Sequence, residues 1–261
     1  MYDFDVTRPA TIVEAVAALA DEDAQALGGG QTLIPTLKQR LASPTVLVSL
    51  SKVSEMIGIC TDDQGRLCIG GATTHSAVAR DASYPALSAM ASHIGDPAVR
   101  NRGTIGGSVA NNDPAACYPA GVLGSGATVT TNKREIAADD FFLGLFETAL
   151  EEGEIITEVK FPIPEAANYQ KFIQPASRFA LVGVFVAKFA DGVRVAVTGA
   201  SEEGVHRWSA AEEALTADFT PEAIAELTVP EDTLITDTHA SSAYRAHLVK
   251  VMTGRAVKAA S

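Results

Sequence analysis

Cysteine is scarce in this sequence: Cys60, Cys68 and Cys117 are the three present in 261 residues. An odd, sparse set is not a disulfide framework. It also falls short of the four thiolates that an ordinary iron–sulfur cluster takes, so any such cluster belongs to another chain. Cys60 and Cys68 flank the turn-like Thr61-Asp62-Asp63-Gln64-Gly65 and are expected to face each other across a hairpin as free thiols. Positive charge is short too. The 20 Lys and Arg stand against 32 Asp and Glu, a net charge of −12. Nucleic acid and anionic membrane both reward clustered cations, so neither is expected as a partner. No apolar run approaches the ~20 residues that span a bilayer. The acidic start Met1-Tyr2-Asp3-Phe4-Asp5 lacks the features of a secretory leader, and a cytoplasmic protein without direct membrane insertion is expected. The phosphate loop G-x-x-x-x-G-K-[ST] and the dinucleotide fingerprint G-x-G-x-x-G are both missing. So is any nucleophile–histidine–acid set, and no catalytic residue or metal site is assigned.

What is present is an ordinary globular composition, 47% apolar and 20% charged, long enough for one large or two to three small domains. The chain is organised around Gly103-Thr104-Ile105-Gly106-Gly107-Ser108, which runs on through Asn111-Asn112-Asp113-Pro114. Three glycines in five residues allow positive φ and bring backbone N–H groups close to a bound anion, although a plain turn between strands has the same composition. A second cluster strengthens the anion reading. Gln25-Ala26-Leu27 reads as a strand running into Gly28-Gly29-Gly30-Gln31-Thr32, and Leu33 to Leu41 reads as a helix with Pro35 near its front. Strand, glycine loop and helix start make a natural phosphate seat. Arg100 and Arg102 stand ready to neutralise a phosphate or to pair structurally, and His75 is a lesser candidate at a helix start.

The other elements follow from periodicity. Residues 11–20 form an amphipathic helix capped by Thr7 or Thr11, 45–50 a strand, and 84–93 a helix that stops at Gly95-Asp96-Pro97. Pro162-Ile163-Pro164 marks a boundary, giving regions 1–163 and 164–261. Beyond it lie strands at 169–173, 179–189 and 193–198, with an Asp191-Gly192 turn. Short helices at 209–215 and 221–227, capped by Ser209 and Thr220, precede a terminal helix over 241–259.

Gly28 to Pro35 and Ile94 to Ser108 together resemble the FAD-binding medium subunit of molybdenum hydroxylases, in particular the aerobic carbon monoxide dehydrogenase group. The likeness extends to Asp139–Phe142, Gly153–Ile156, Pro175–Phe179 and Tyr244-Arg245. It implies an α+β chain: a vanillyl-alcohol-oxidase (PCMH)-type FAD-binding domain of two α/β subdomains, about 1–53 and 54–163, then a C-terminal α+β domain. Carried over position by position, Gly28, Gly29, Gly30, Gln31, Thr32 and Leu33 resemble one pyrophosphate loop. Thr104, Ile105, Gly106, Gly107 and Ser108 resemble the other, with Asn111 and Asp113 beside it. Lys171 resembles a lysine near the flavin ring, and Ile156 and Phe179 resemble residues lining it. Cys117 stands where the family often has an aspartate that helps bind FAD. A thiol is a weak hydrogen-bond partner, so either Asp113 takes over or FAD is held less tightly.

The resemblance also implies partners: a molybdopterin-binding large subunit and a 2Fe-2S small subunit, in a dimer of heterotrimers. Electrons would pass from the 2Fe-2S subunit through this chain's FAD to an external quinone or cytochrome. A self-sufficient flavin reductase of the same fold, or a non-catalytic nucleotide-binding module, are the alternatives.

Overall fold

The computed structural model describes residues 1–176 and 178–260; Ser177, within the 175–179 stretch of the resemblance, and Ser261 lie outside the described residues. The chain opens with alternating strands and helices: β1 (Asp5–Thr7), α1 (Ile12–Ala18), β2 (Ala24–Leu27), α2 (Leu33–Lys38) and β3 (Val46–Ser49). The strands pair in parallel in the order β1-β3-β2. Thr11, not Thr7, starts α1, its hydroxyl accepting from the Glu14 N–H, while Thr7 ends β1. Ala15 of α1 and Leu19, its C-terminal cap, pack in one cluster with Val48, Met56, Ala72 and Ile155, which fixes this small sheet on the next unit.

That next unit carries β4 (Ile59–Thr61), β5 (Leu67–Gly70) and helices α3 (His75–Val78), α4 (Pro85–Ser92), α5 (Pro97–Arg100), α6 (Ile105–Asn111) and α7 (Cys117–Gly124). It continues with β6 (Thr128–Thr131), β7 (Glu135–Ala137), α8 (Ala138–Phe141), a hairpin of β8 (Phe142–Gly144) and β9 (Glu147–Thr148), and β10 (Ile156–Phe161). An antiparallel sheet runs β4-β5-β10-β6-β7. Cys60 stands directly opposite Cys68 in it, and both are free thiols, as expected. Gly95-Asp96-Pro97 begins a helix as well as ending one: the Asp96 carboxylate accepts from the Val99 N–H and Pro97 takes the first helical position, where it loses no hydrogen bond.

The last unit is an antiparallel sheet of β11 (Ala166–Ile173), β12 (Ala180–Phe189), β13 (Gly192–Thr198) and β14 (His206–Arg207), with α9 (Ser209–Ala217), a 3-10 turn at Pro221–Ile224, and α10 (Ser242–Ala260). Trp208 holds the cap position of α9 and Ser209 is already helical. Alternation along β12 covers both faces. Val182, Val184 and Val186 meet Leu248, Val249 and Met252 of α10, while Phe185 and Ala187 meet Tyr118 and Val122 of α7. A strand buried on both sides reads as one continuous apolar run. Arg245 is buried and ties α10 to the sheet by donating to the carbonyls of Leu181 and Gly199, with Asp237 as its ion-pair partner at 2.8 Å.

Candidate functional site

A cleft of about 620 Å³ lies where the three units meet. That volume is within the range of pockets that hold cofactor-sized molecules. Gly28 to Leu33 form one wall, Thr104, Gly106, Gly107 and Ser108 the facing one, and Asn111, Asp113, Cys117, Ile156, Lys171 and Phe179 complete it. Of the residues singled out from the sequence, Arg100 and Arg102 do not line it, and neither does Ile105. Its side chain is fully buried in the core and its N–H donates to the Thr73 carbonyl. Gly71, Ala72, Glu154, Ile155 and Arg178 also line the cleft and were not anticipated. Glu154, Ile155 and Arg178 fall within stretches of the resemblance from which only Ile156 and Phe179 were singled out, whereas Gly71 and Ala72 follow β5 outside it.

The two glycine segments touch. A Cβ on Gly29 would run into the carbonyl of Arg102, and one on Gly28 would sit 2.8 Å from Thr104 Oγ1. Gly30 has φ +71°, a left-handed conformation that favours glycine. Among the described residues, the N–H groups of Gly29, Gly30, Gln31, Thr32 and Leu33 donate to no protein acceptor. They converge on the start of α2, where Thr32 makes no side-chain cap. Open N–H groups at a helix start are the chemistry that an anion requires.

The second segment is built differently. The expected positive-φ loop is instead the start of α6, and Gly103, Gly106 and Gly107 all keep ordinary φ. The N–H groups of Ile105, Gly106, Gly107 and Ser108 go to Thr73 O, Gly71 O, Thr104 Oγ1 and Thr104 O. Glycine is needed here for close approach: a Cβ on Gly106 would lie 2.6 Å from Gly71 O, and one on Gly103 about 2.5 Å from His75 Nε2. Arg100 is spent on structure, donating to the carbonyls of Ile94 and Gly95 at 3.0 Å each.

Behind Gly103, His75 is buried with its ring 5.2 Å from that of Tyr118. Burial, with Arg100 nearby, pulls its pKa down to about 4, so it is neutral at physiological pH. Lys171 Nζ donates to the His93 carbonyl at 3.1 Å and to Cys117 Sγ at 3.4 Å, which places an ammonium on the cleft wall. Asp113 accepts from the Ala115 N–H at 2.8 Å, and burial pushes its carboxyl upward. Glu154 is buried. Although burial alone raises its pKa, hydrogen bonds from Arg134, Thr131 and the Glu151 N–H bring it down to about 2.

Comparison with known proteins agrees with this geometry. The family described as FAD binding domain in molybdopterin dehydrogenase matches residues 2–164. The chain is 33% identical over 270 aligned residues to the nicotine 6-hydroxylase medium subunit of Paenarthrobacter nicotinovorans, covering 95% of this chain and 94% of that one. It is 36% identical over 196 residues to the carbon monoxide dehydrogenase medium chain of Afipia carboxidovorans, covering 70% and 68%. Among solved structures, quinoline 2-oxidoreductase from Pseudomonas putida 86 superposes with a TM-score of 0.88 at 31% identity, covering 99% and 97%. The reconstituted CO dehydrogenase from Oligotropha carboxidovorans gives 0.89 at 29%, covering 99% and 98%. The chain therefore belongs to the FAD-binding medium subunits of the molybdenum hydroxylases, an oxidoreductase component whose own cofactor is FAD.

Proposed function

We propose that this chain is the electron-transfer subunit of a molybdenum hydroxylase, holding FAD between a cytoplasmic 2Fe-2S subunit and an external acceptor such as a quinone or cytochrome. The observation that carries the proposal is the set of open N–H groups from Gly29 to Leu33, facing the cleft within van der Waals reach of the second segment. A pyrophosphate would suit these N–H groups because the start of α2 favours negative charge. Gly28 to Leu33 would bind it, with Thr104 and Gly107 closing from the far side and Asp113 beside them. Ile156 and Phe179 offer apolar surface for the ring, and Lys171 a positive charge beside it. Bound FAD supplies the capacity to accept and release electrons singly or in pairs; the residues bind, orient and set its electrostatic surroundings.

A molybdopterin-binding large subunit and a 2Fe-2S small subunit would be the partners, in a dimer of heterotrimers. Support comes from relatives designated medium chain or medium subunit, and from the small number of cysteines here. No helix among the described residues is long and apolar enough to cross a membrane. The division into a FAD-binding domain, 1–163, and a C-terminal domain, 164–261, belongs to the same proposal. Purification of the native complex tests it. A yellow chain that copurifies with a large and a cysteine-rich small subunit supports it. A colourless lone chain, or NADH oxidation by this chain by itself, contradicts it.

A further inference from the structure

Outside the cleft lining, the β4-β5-β10-β6-β7 sheet carries a second cluster of chemistry, with Cys60 exposed and Cys68 buried. Cys60 and Cys68 are directly opposed in the β4–β5 pair, so both side chains leave the same face. Glu158 lies on β10, the other neighbour of β5, two residues before Lys160, which is the cross-strand partner of Cys68. The two sulfurs and a Glu158 carboxylate oxygen all lie within 4.8 Å of one another. Lys160 pairs with both Glu135, at 2.6 Å, and Glu158, at 3.8 Å, and holds Glu158 the more loosely.

We propose that Cys60, Cys68 and Glu158 bind a thiophilic divalent cation, Zn2+ or an ion of like chemistry, with water in the fourth position. Two thiolates and one carboxylate match the donor preference of Zn2+, and hard ions such as Mg2+ or Ca2+ would avoid the sulfurs. Binding displaces one proton from each thiol into solvent, with no change of oxidation state. Burial together with Glu158, Asp62 and Cys60 pushes the Cys68 thiol up to about 11, while Lys160 draws it down. A bound ion would clip the three-residue edge strand β4 to β10, whose first residue, Ile156, lines the cleft.

The test is titration of the purified full chain with Co2+ under reducing conditions. One equivalent should give the thiolate-to-cobalt charge-transfer absorption of a four-coordinate site, and Zn2+ should abolish it. Cys60→Ser, an exposed position that spares the fold, should remove the band, and Glu158→Gln should weaken binding at least tenfold. Cys117→Ser should leave it intact. Zn2+ should raise the melting temperature of the wild type and not of Cys60→Ser. Three results would overturn the proposal: no charge-transfer band, a band that survives in the Cys60→Ser Cys68→Ser double variant, or a band lost in Cys117→Ser. FAD content is measured separately, so failure here leaves the flavin reading untouched.

Discussion

Gly28–Leu33 and Gly103–Ser108 face each other across one cleft with three glycines apiece, yet they use them differently. In the first segment five N–H groups are left open and Gly30 takes φ +71°, while Gly28 and Gly29 also lie close against Thr104 and Arg102. In the second the N–H groups are consumed within the protein, and glycine serves to let α6 lie against the backbone of Gly71. The first segment keeps its N–H groups available to a ligand, and the second spends them on building the protein. A glycine-rich stretch thus reports tight backbone approach, and only its hydrogen-bond accounting tells whether a ligand or the protein itself makes the approach.

The contrast can be broken by substitution. Gly29→Ala places a methyl against Arg102 O, between the open N–H groups and the second segment. Relief of that clash has to displace the loop that carries the open N–H groups, and FAD affinity should fall roughly 100-fold, about 3 kcal/mol, read by flavin fluorescence quenching. Retained affinity would dissolve the distinction. Glu154→Gln removes the charge and turns one of the two oxygens that accept from Arg134, Thr131 and the Glu151 N–H into a donor, and should cost about 1–3 kcal/mol in urea denaturation at pH 7.

Gly106→Ala tests the building role through its sign. Helix propensity alone favours alanine by about 1 kcal/mol, whereas the encounter with Gly71 O should make the variant less stable by about 1–2 kcal/mol. A gain in melting temperature would show that α6 is not held as closely as described. The smallest effect is Thr104→Val, which removes the acceptor for the Gly107 N–H and should cost about 1 kcal/mol.

pH sharpens the picture around the cleft. His75 has a folded pKa of about 4, below its unfolded value near 6.5. Its contribution is present above pH 6.5 and lost as pH falls toward 4. Glu154, about 2 when folded, adds a further loss between its unfolded pKa of about 4.3 and 2. Stability measured from pH 7 to 3 should fall in both windows, and His75→Gln should flatten the upper one alone.

Much of this was legible in the sequence. Strand, glycine loop and helix start at 25–38 carried the first seat, the hairpin placed Cys60 opposite Cys68, and helical spacing gave α10. The helical state of Ile105–Asn111 was not legible, because paired glycines disfavour helix and only contact with Gly71 compensates. α7 escaped because all eight of its residues are buried, which erases periodicity. β1 is three exposed residues that become a strand only by pairing with β3. Arg100 illustrates the limit for sites: its charge suggested a phosphate, and its geometry assigns it to two carbonyls. Lys171 sits on the cleft wall, and Lys171→Ala should make the flavin potential more negative, with an unchanged potential counting against an electrostatic role.

The claim that the open N–H groups of Gly29 to Leu33 seat a pyrophosphate is tested most directly by titrating the flavin-free full chain with FAD and with riboflavin. FAD should bind at one per chain and at least 100-fold more tightly than riboflavin, which lacks both phosphates, and Gly29→Ala should erase most of that difference. Equal affinity of the two flavins for the wild-type chain would contradict the account.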